Sequence, residues 1–212
     1  MENPYISFEI LTATKDIILI FAAIITANVA VKGLQSWARE LKGKADFEVA
    51  RNLIRSTYRL RDELSYCRSP WIPISEFPEG YDITKRTAKG QAEAYSFLYT
   101  NRWKPVASAF QEFETQSLEA EALWGPEFKP KTDEMRQCVW SLKVSIEALI
   151  SNYENDGEDF RSDESFKKSV KSEVEEINKK ENPLTLKINA AIQAIENEIR
   201  PHIKRKNDLL TT

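Results

Sequence analysis

The sequence is short of the residues on which most enzymes rely: one histidine, two cysteines and two methionines in 212 positions. A single histidine excludes multi-histidine metal centres, and two cysteines are too few for a disulfide scaffold. Six glycines leave little room for an all-β chain with its many tight turns. Neither sign of charge dominates: 30 Lys and Arg against 33 Asp and Glu leave a net charge of −3. That balance argues against a general nucleic-acid binder, so no nucleic-acid partner is expected. The glycine loop that cradles phosphates and the nucleophile elbow are both missing. Cys67 and Cys138 fall on apolar stripes and read as packed thiols. His202 follows Pro201 among Arg200, Lys204, Arg205 and Lys206, and reads as an exposed residue of a basic tail. Glu175 and Glu176 read as the surface of a charged helix. No catalytic residue, cofactor or metal is expected; the chain should work by binding.

One long apolar run stands out. Residues 17–31 read IILIFAAIITANVAV, fifteen positions without a charge. As a helix, residues 17–34 would extend roughly 27 Å, against about 30 Å for a bilayer's hydrocarbon core. Lys15 and Lys32 can lay their stems along apolar surface and raise their ammonium groups to the headgroups. Trp37, Lys42 and Lys44 are placed for the interface beyond. Asp16 suits a helix start. Large apolar residues occur on every side of this helix, whereas a half-buried helix keeps a polar face. A transmembrane helix over 17–34 is therefore expected, ahead of a buried core helix. A cleaved signal peptide fits less well, because its first region would be acidic. Residues 1–16 hold Glu2, Glu9 and Asp16 against Lys15, whereas 32–61 hold eight basic residues against three acidic ones. Positive charge marks the cytoplasmic side. Residues 1–16 should thus be a short extracytoplasmic segment and 35–212 a cytosolic domain.

That domain is helical in pattern. Ala50, Leu53, Thr57, Leu60, Leu64 and Cys67 recur at spacings of three and four. After a proline-rich break at 69–80, a second helix is expected over 84–124, with Trp103, Val106, Phe110, Phe113, Ser117, Ala120 and Trp124 on one stripe. Pro105 should kink it or begin a fresh helix. Over 132–154, Met135, Val139, Leu142, Ile146, Leu149 and Tyr153 alternate four and three, as an a/d seam does. An acidic solvated loop at 155–164 is followed by a charged helix over 164–180 carrying Phe166, Val170, Val174 and Ile177. The last helix opens at Asn182-Pro183, carries Leu184, Ile188, Ala191, Ile192, Ile195, Ile199 and Ile203, and is interrupted by Pro201. The fold class expected is all-α: one N-terminal transmembrane helix followed by an antiparallel four- to five-helix bundle.

Three groups of residues are candidates for interaction. In the span, Ala22, Thr26 and Ala30, with Ala23 and Ala27, put small residues four apart, and Asn28 adds an amide. Such residues let helices approach closely, so self-association is one reading; the other is common alanine and a hydrated Asn28. Arg51, Arg55 and Arg59 share one helix face at i, i+4. Arg59 would lie ~40 Å along a straight helix from Leu34, beyond a Debye length of ~8 Å, which favours salt bridges or protein partners over lipid. Finally, Trp71, Ile74 and Phe77 sit in a loop stiffened by Pro70, Pro73 and Pro78, which either caps the bundle or presents an apolar surface. The reading that follows is a membrane-anchored scaffold or adaptor that meets the lipid bilayer and a cytosolic protein and can form homo-oligomers. A membrane-perturbing effector, such as a toxin or defence protein, and a ligand-sensing or enzymatic bundle are its rivals.

Overall fold

A computed structural model describes the backbone of residues 4–82, 84 and 87–203, and side chains from Thr14 onward except Asp16. Lys204, Arg205 and Lys206 of the expected basic tail lie outside the described residues. Among the described residues there are six α-helices, two short 3-10 turns and no strand, so the all-α class holds. The chain divides into two compact units, Met1–Asp46 and Phe47–Thr212.

The first unit is helical from Pro4, the start of α1 (Pro4–Cys67). The helix does not begin at Asp16 as expected; proline in a first turn gives up an N–H that would be unsatisfied there anyway. Gly33 and Gly43 do not break it, since an isolated glycine costs only about 1 kcal/mol relative to alanine. Every side chain over 17–45 is exposed. This is the one helix among the described residues long and apolar enough to cross a membrane, and none of its apolar window is buried within the protein. The polar groups in the run are bonded inside their own turns. Thr26 Oγ1 donates to Ala22 O and Asn28 Nδ2 to Ile24 O, both at 2.9 Å.

The second unit packs the last part of α1 with α2 (Ala88–Trp124), α3 (Lys129–Glu154), α4 (Glu158–Ser162), α5 (Glu164–Val174) and α6 (Pro183–Ile203). Cross-contacts give the chain directions. Tyr95 stacks on Tyr153 at 4.5 Å and Glu114 pairs with Arg136 at 2.6 Å, so α2 and α3 run oppositely. Lys131 pairs with Glu198 at 3.3 Å, at the start of α3 and the end of α6. Tyr58 Oη donates to Glu196 at 2.6 Å and Arg68 to Thr185 at 2.9 Å, so α6 also runs against α1. One continuous core joins Leu53, Leu60 and Leu64 to Leu98, Val106 and Phe113, to Met135, Leu142 and Leu149, and to Leu184, Ile188 and Ile195. The stripes expected for α1 and α3 are the buried ones, with Tyr153 partly covered.

Elsewhere packing overrode the local signal. α2 runs as one helix through Pro105. The lost hydrogen bond and ring clash cost ~3 kcal/mol, and Leu98 and Tyr99 before the proline and Val106, Ala109 and Phe113 after it hold both halves in the core. Its buried line passes through Arg102 and Ala109, which leaves Trp103, Phe110 and Trp124 on the flank. The helix starts at Ala88, capped by Thr87, whose Oγ1 accepts the Gly90 N–H at 3.0 Å. A Cβ on Gly90 would stand 2.9 Å from that oxygen, a close approach that glycine permits.

Gly125, at φ 98°, ends α2 in a conformation that L side chains rarely adopt. The acidic stretch 155–164 is not simply solvated: α4 buries Phe160, whose N–H donates to Asn152 Oδ1 at 2.9 Å. α5 ends at Val174 instead of continuing to 180, and Ile177 is exposed. α6 continues past Pro201 to Ile203, which is exposed.

Candidate functional site

The loop between α1 and α2 is where the sequence candidates and the tertiary contacts meet. It is fastened from below by Arg102, a buried side chain of α2. The guanidinium forks onto Glu76, with Nε to Oε2 at 2.5 Å and Nη2 to Oε1 at 3.1 Å. Its remaining donors take the carbonyls of Ser69 at 2.8 Å, Trp71 at 2.9 Å and Cys67 at 3.4 Å. Tyr66 lies over the same cation at 5.6 Å. Burial opposes the charge on Arg102, but the hydrogen-bonded Glu76 more than offsets it and raises the pKa above the ordinary arginine value. The bidentate geometry fixes direction as well as distance.

Pinned by its carbonyls, the loop turns its side chains apart. Phe77 points inward, stacking on Tyr81 at 4.8 Å and meeting Tyr95 edge-on at 5.6 Å. Trp71 is 79% and Ile74 63% exposed. Of the three loop candidates, Phe77 therefore caps the helices, while Trp71 and Ile74 form an outward apolar tip on a rigid base.

A second buried arginine holds the neighbouring junction. Arg68, just beyond α1, has no exposed side-chain surface. It donates to Glu173 O at 2.6 Å, Ser172 O at 3.3 Å, Asn182 Oδ1 at 2.6 Å and Thr185 Oγ1 at 2.9 Å, and lies 3.7 Å from Glu176 Oε1. Burial pulls its pKa down, with Glu176 and Glu173 pulling the other way. Glu176, expected on a surface, is buried. Burial disfavours its charge, yet Lys179 at 2.8 Å, Ser65 at 2.5 Å and Thr185 at 3.1 Å bond the carboxylate and hold its pKa below the ordinary glutamate value. The network thus clamps the α5–α6 connection to the end of α1.

The three basic candidates on α1 do not act together. Arg59 pairs with Glu112 of α2, whereas Arg51 and Arg55 are exposed. In the first unit Lys15, Lys32, Trp37, Lys42 and Lys44 are all exposed, Lys44 pairing with Glu40 at 3.0 Å. Ala22, Ala23, Thr26, Ala27, Asn28 and Ala30 are exposed along the helix.

Burial pushes the Cys67 thiol up to about 12 and the Cys138 thiol up to about 11, so both stay protonated at neutral pH. His202 is not a free tail residue: its ring stacks on Trp124 at 4.2 Å, because α6 carries it back against the end of α2. Open grooves of about 420 Å³ beside Cys138, Gln137 and Lys187 and about 350 Å³ beside Trp103, Ala107 and Ile150 lie on the α3–α6 and α2–α3 surfaces. No cluster of three potential metal ligands occurs among the described residues.

Sequence reasoning passed over Arg102, Glu76, Asn182 and Thr185. Arg102 did leave a signal, since it occupies a step of the stripe Leu98, Arg102, Val106 and Ala109. An arginine within an apolar stripe points to a buried ion pair. No family model matches the chain, and no curated protein and no solved structure matches it either.

Proposed function

We propose that the chain is a membrane-anchored helical adaptor. The span over 17–34 fixes it in the bilayer with the N-terminus outside, and the second unit is an antiparallel bundle on the cytosolic side that recruits a protein partner. The observation that carries this reading is an apolar run with no buried side chain. Such surface is tolerable in lipid and not in water, where contiguous exposed apolar patches of soluble monomers rarely exceed a few hundred Å². The excess of Lys and Arg just after the run supports the orientation. Trp71 and Ile74 on their arginine-pinned base supply the recruiting surface, since rigid exposed aromatics are efficient anchors for a partner. Confinement to the membrane plane raises effective concentration, so a weak contact suffices. The small residues Ala22, Ala23, Thr26, Ala27 and Ala30 give the span a surface on which another helix can pack.

Fractionation of cells expressing the full chain tests the anchor. It should resist carbonate extraction and need detergent for release, and added protease should cut the second unit only after the cytosolic face is opened. A chain that leaves the membrane in carbonate refutes the anchor. A photo-crosslinker at position 71 in the same membranes should then trap a protein that the same group at position 51 does not.

A further inference from the structure

Beyond its apolar run, α1 keeps three large apolar side chains in the open. Leu34, Trp37 and Leu41 are 65%, 61% and 47% exposed. Spaced by three and four, they lie on one face. Among residues 32–46 every other position is polar, charged, glycine or alanine. Toward the N-terminus the same alternation passes through Ala30, Ala27 and Ala23 to Ile20. The line from Ile20 to Leu41 is therefore spaced 3-4-3-4-3-4, the a/d pattern of a coiled coil, and α1 is helical throughout it. Along the axis it covers about 32 Å.

We propose that this seam is a contact between two copies of the chain, parallel and in register, with Leu34 closing the span and Trp37 and Leu41 as its part beyond it. The inference rests on the anchor reading above and adds the partner, the face and the register. Copies inserted in one membrane share orientation and depth, so each seam residue meets its own counterpart.

The composition of the seam changes where the solvent would change. In the apolar run it is mainly alanine, which allows close approach where burying apolar area gains nothing over lipid. Past the span it is tryptophan and leucine, at 37 and 41, whose burial away from water is favourable. Glu40 pairs with Lys44 within its own helix at 3.0 Å, and the seam stops where its next step would fall on Lys44. Thr26 Oγ1 and Asn28 Nδ2 donate to their own helix, and the seam positions within the span carry only apolar side chains.

Single cysteines introduced into the full chain read this directly, because a/d positions of a parallel pair come within disulfide range and flanking positions do not. Leu34→Cys, Trp37→Cys and Leu41→Cys are compared with Gln35→Cys, Ser36→Cys, Arg39→Cys and Lys42→Cys. The proteins are placed in vesicles of phosphatidylcholine and phosphatidylglycerol and oxidised with copper-phenanthroline. Native Cys67 and Cys138 are buried and form no background. The seam variants should give several-fold more disulfide-linked dimer than the others, which should match the unsubstituted chain. Equal yields at all seven positions, a maximum off the seam, or no dimer at any position overturns the inference. Flotation of the same samples separates the two claims. A chain that does not float refutes the anchor and the seam together, whereas a floating chain without the periodic pattern refutes the seam alone.

Discussion

Replacing Arg68 by methionine keeps most of the side chain's bulk and removes its charge and donors. The two carbonyls of Ser172 and Glu173 and the amide oxygen of Asn182 then lose a charged donor inside the protein. Glu176 keeps Lys179, Ser65 and Thr185, so it is weakened but not stranded. Breaking one side of a buried ion pair costs about 3–5 kcal/mol, from a total stability of about 5–15 kcal/mol. For a unit of this size each kcal/mol moves the melting midpoint by roughly 2–4 °C, so Arg68→Met should lower it by roughly 6–20 °C. Far-ultraviolet circular dichroism of the full chain in detergent measures this, with Arg51→Met as the exposed control expected to change stability by no more than ~0.5 kcal/mol. Arg68→Lys should fall between, because a lysine keeps the charge and loses the fork. The loss should be visible locally as well. The amides of Glu176 and Asn182, which bond to Arg68 O and Asn178 O, should exchange faster. A fall of less than about 3 °C for Arg68→Met would refute the claim that this arginine clamps the α5–α6 connection.

Three further outcomes follow from the same contacts. Arg102→Met should cost about 3 kcal/mol, the low end for a broken pair because Glu76 is partly exposed and can rehydrate; it should also speed amide exchange at Phe77 and Tyr81, and unchanged exchange there would mean that the prolines alone hold the loop. Glu176 has a depressed pKa in the folded state, so its contribution is present above the ordinary glutamate value and is lost as pH falls through the lower folded value. The melting midpoint should therefore drop on acidification, and by less in Glu176→Gln. Cys67 and Cys138, pushed up to about 12 and about 11, should react with iodoacetamide near pH ~8 more slowly than an ordinary thiol, roughly a thousandfold for Cys67 and roughly a hundredfold for Cys138; comparable rates before and after unfolding would show that neither is buried.

Much of this protein could be read from spacing alone. The apolar run, the stripe from Ala50 to Cys67 and the seam from Met135 to Leu149 were legible because helical periodicity is a local property, set by residues three and four apart. The opening of the last helix at Pro183 was legible for the same kind of reason. Pro105 does not begin a fresh helix, since α2 is held on both sides of it by core contacts, and α6 runs two residues past Pro201 to Ile203.

What only the tertiary structure decided concerns charges and outward-facing groups. Nothing local marks Arg68 as buried, and the apolar stripe that holds Arg102 does not name its partner; the folded chain brings Glu176 to the first from 108 positions away and Glu76 to the second from 26. His202 reads as a tail residue until α6 returns it to Trp124. The division of the proline loop into an inward Phe77 and an outward Trp71 and Ile74 follows from where Arg102 grips the backbone, which no local pattern encodes. Buried polar groups need partners, and partners far apart in sequence meet only when the whole chain has folded.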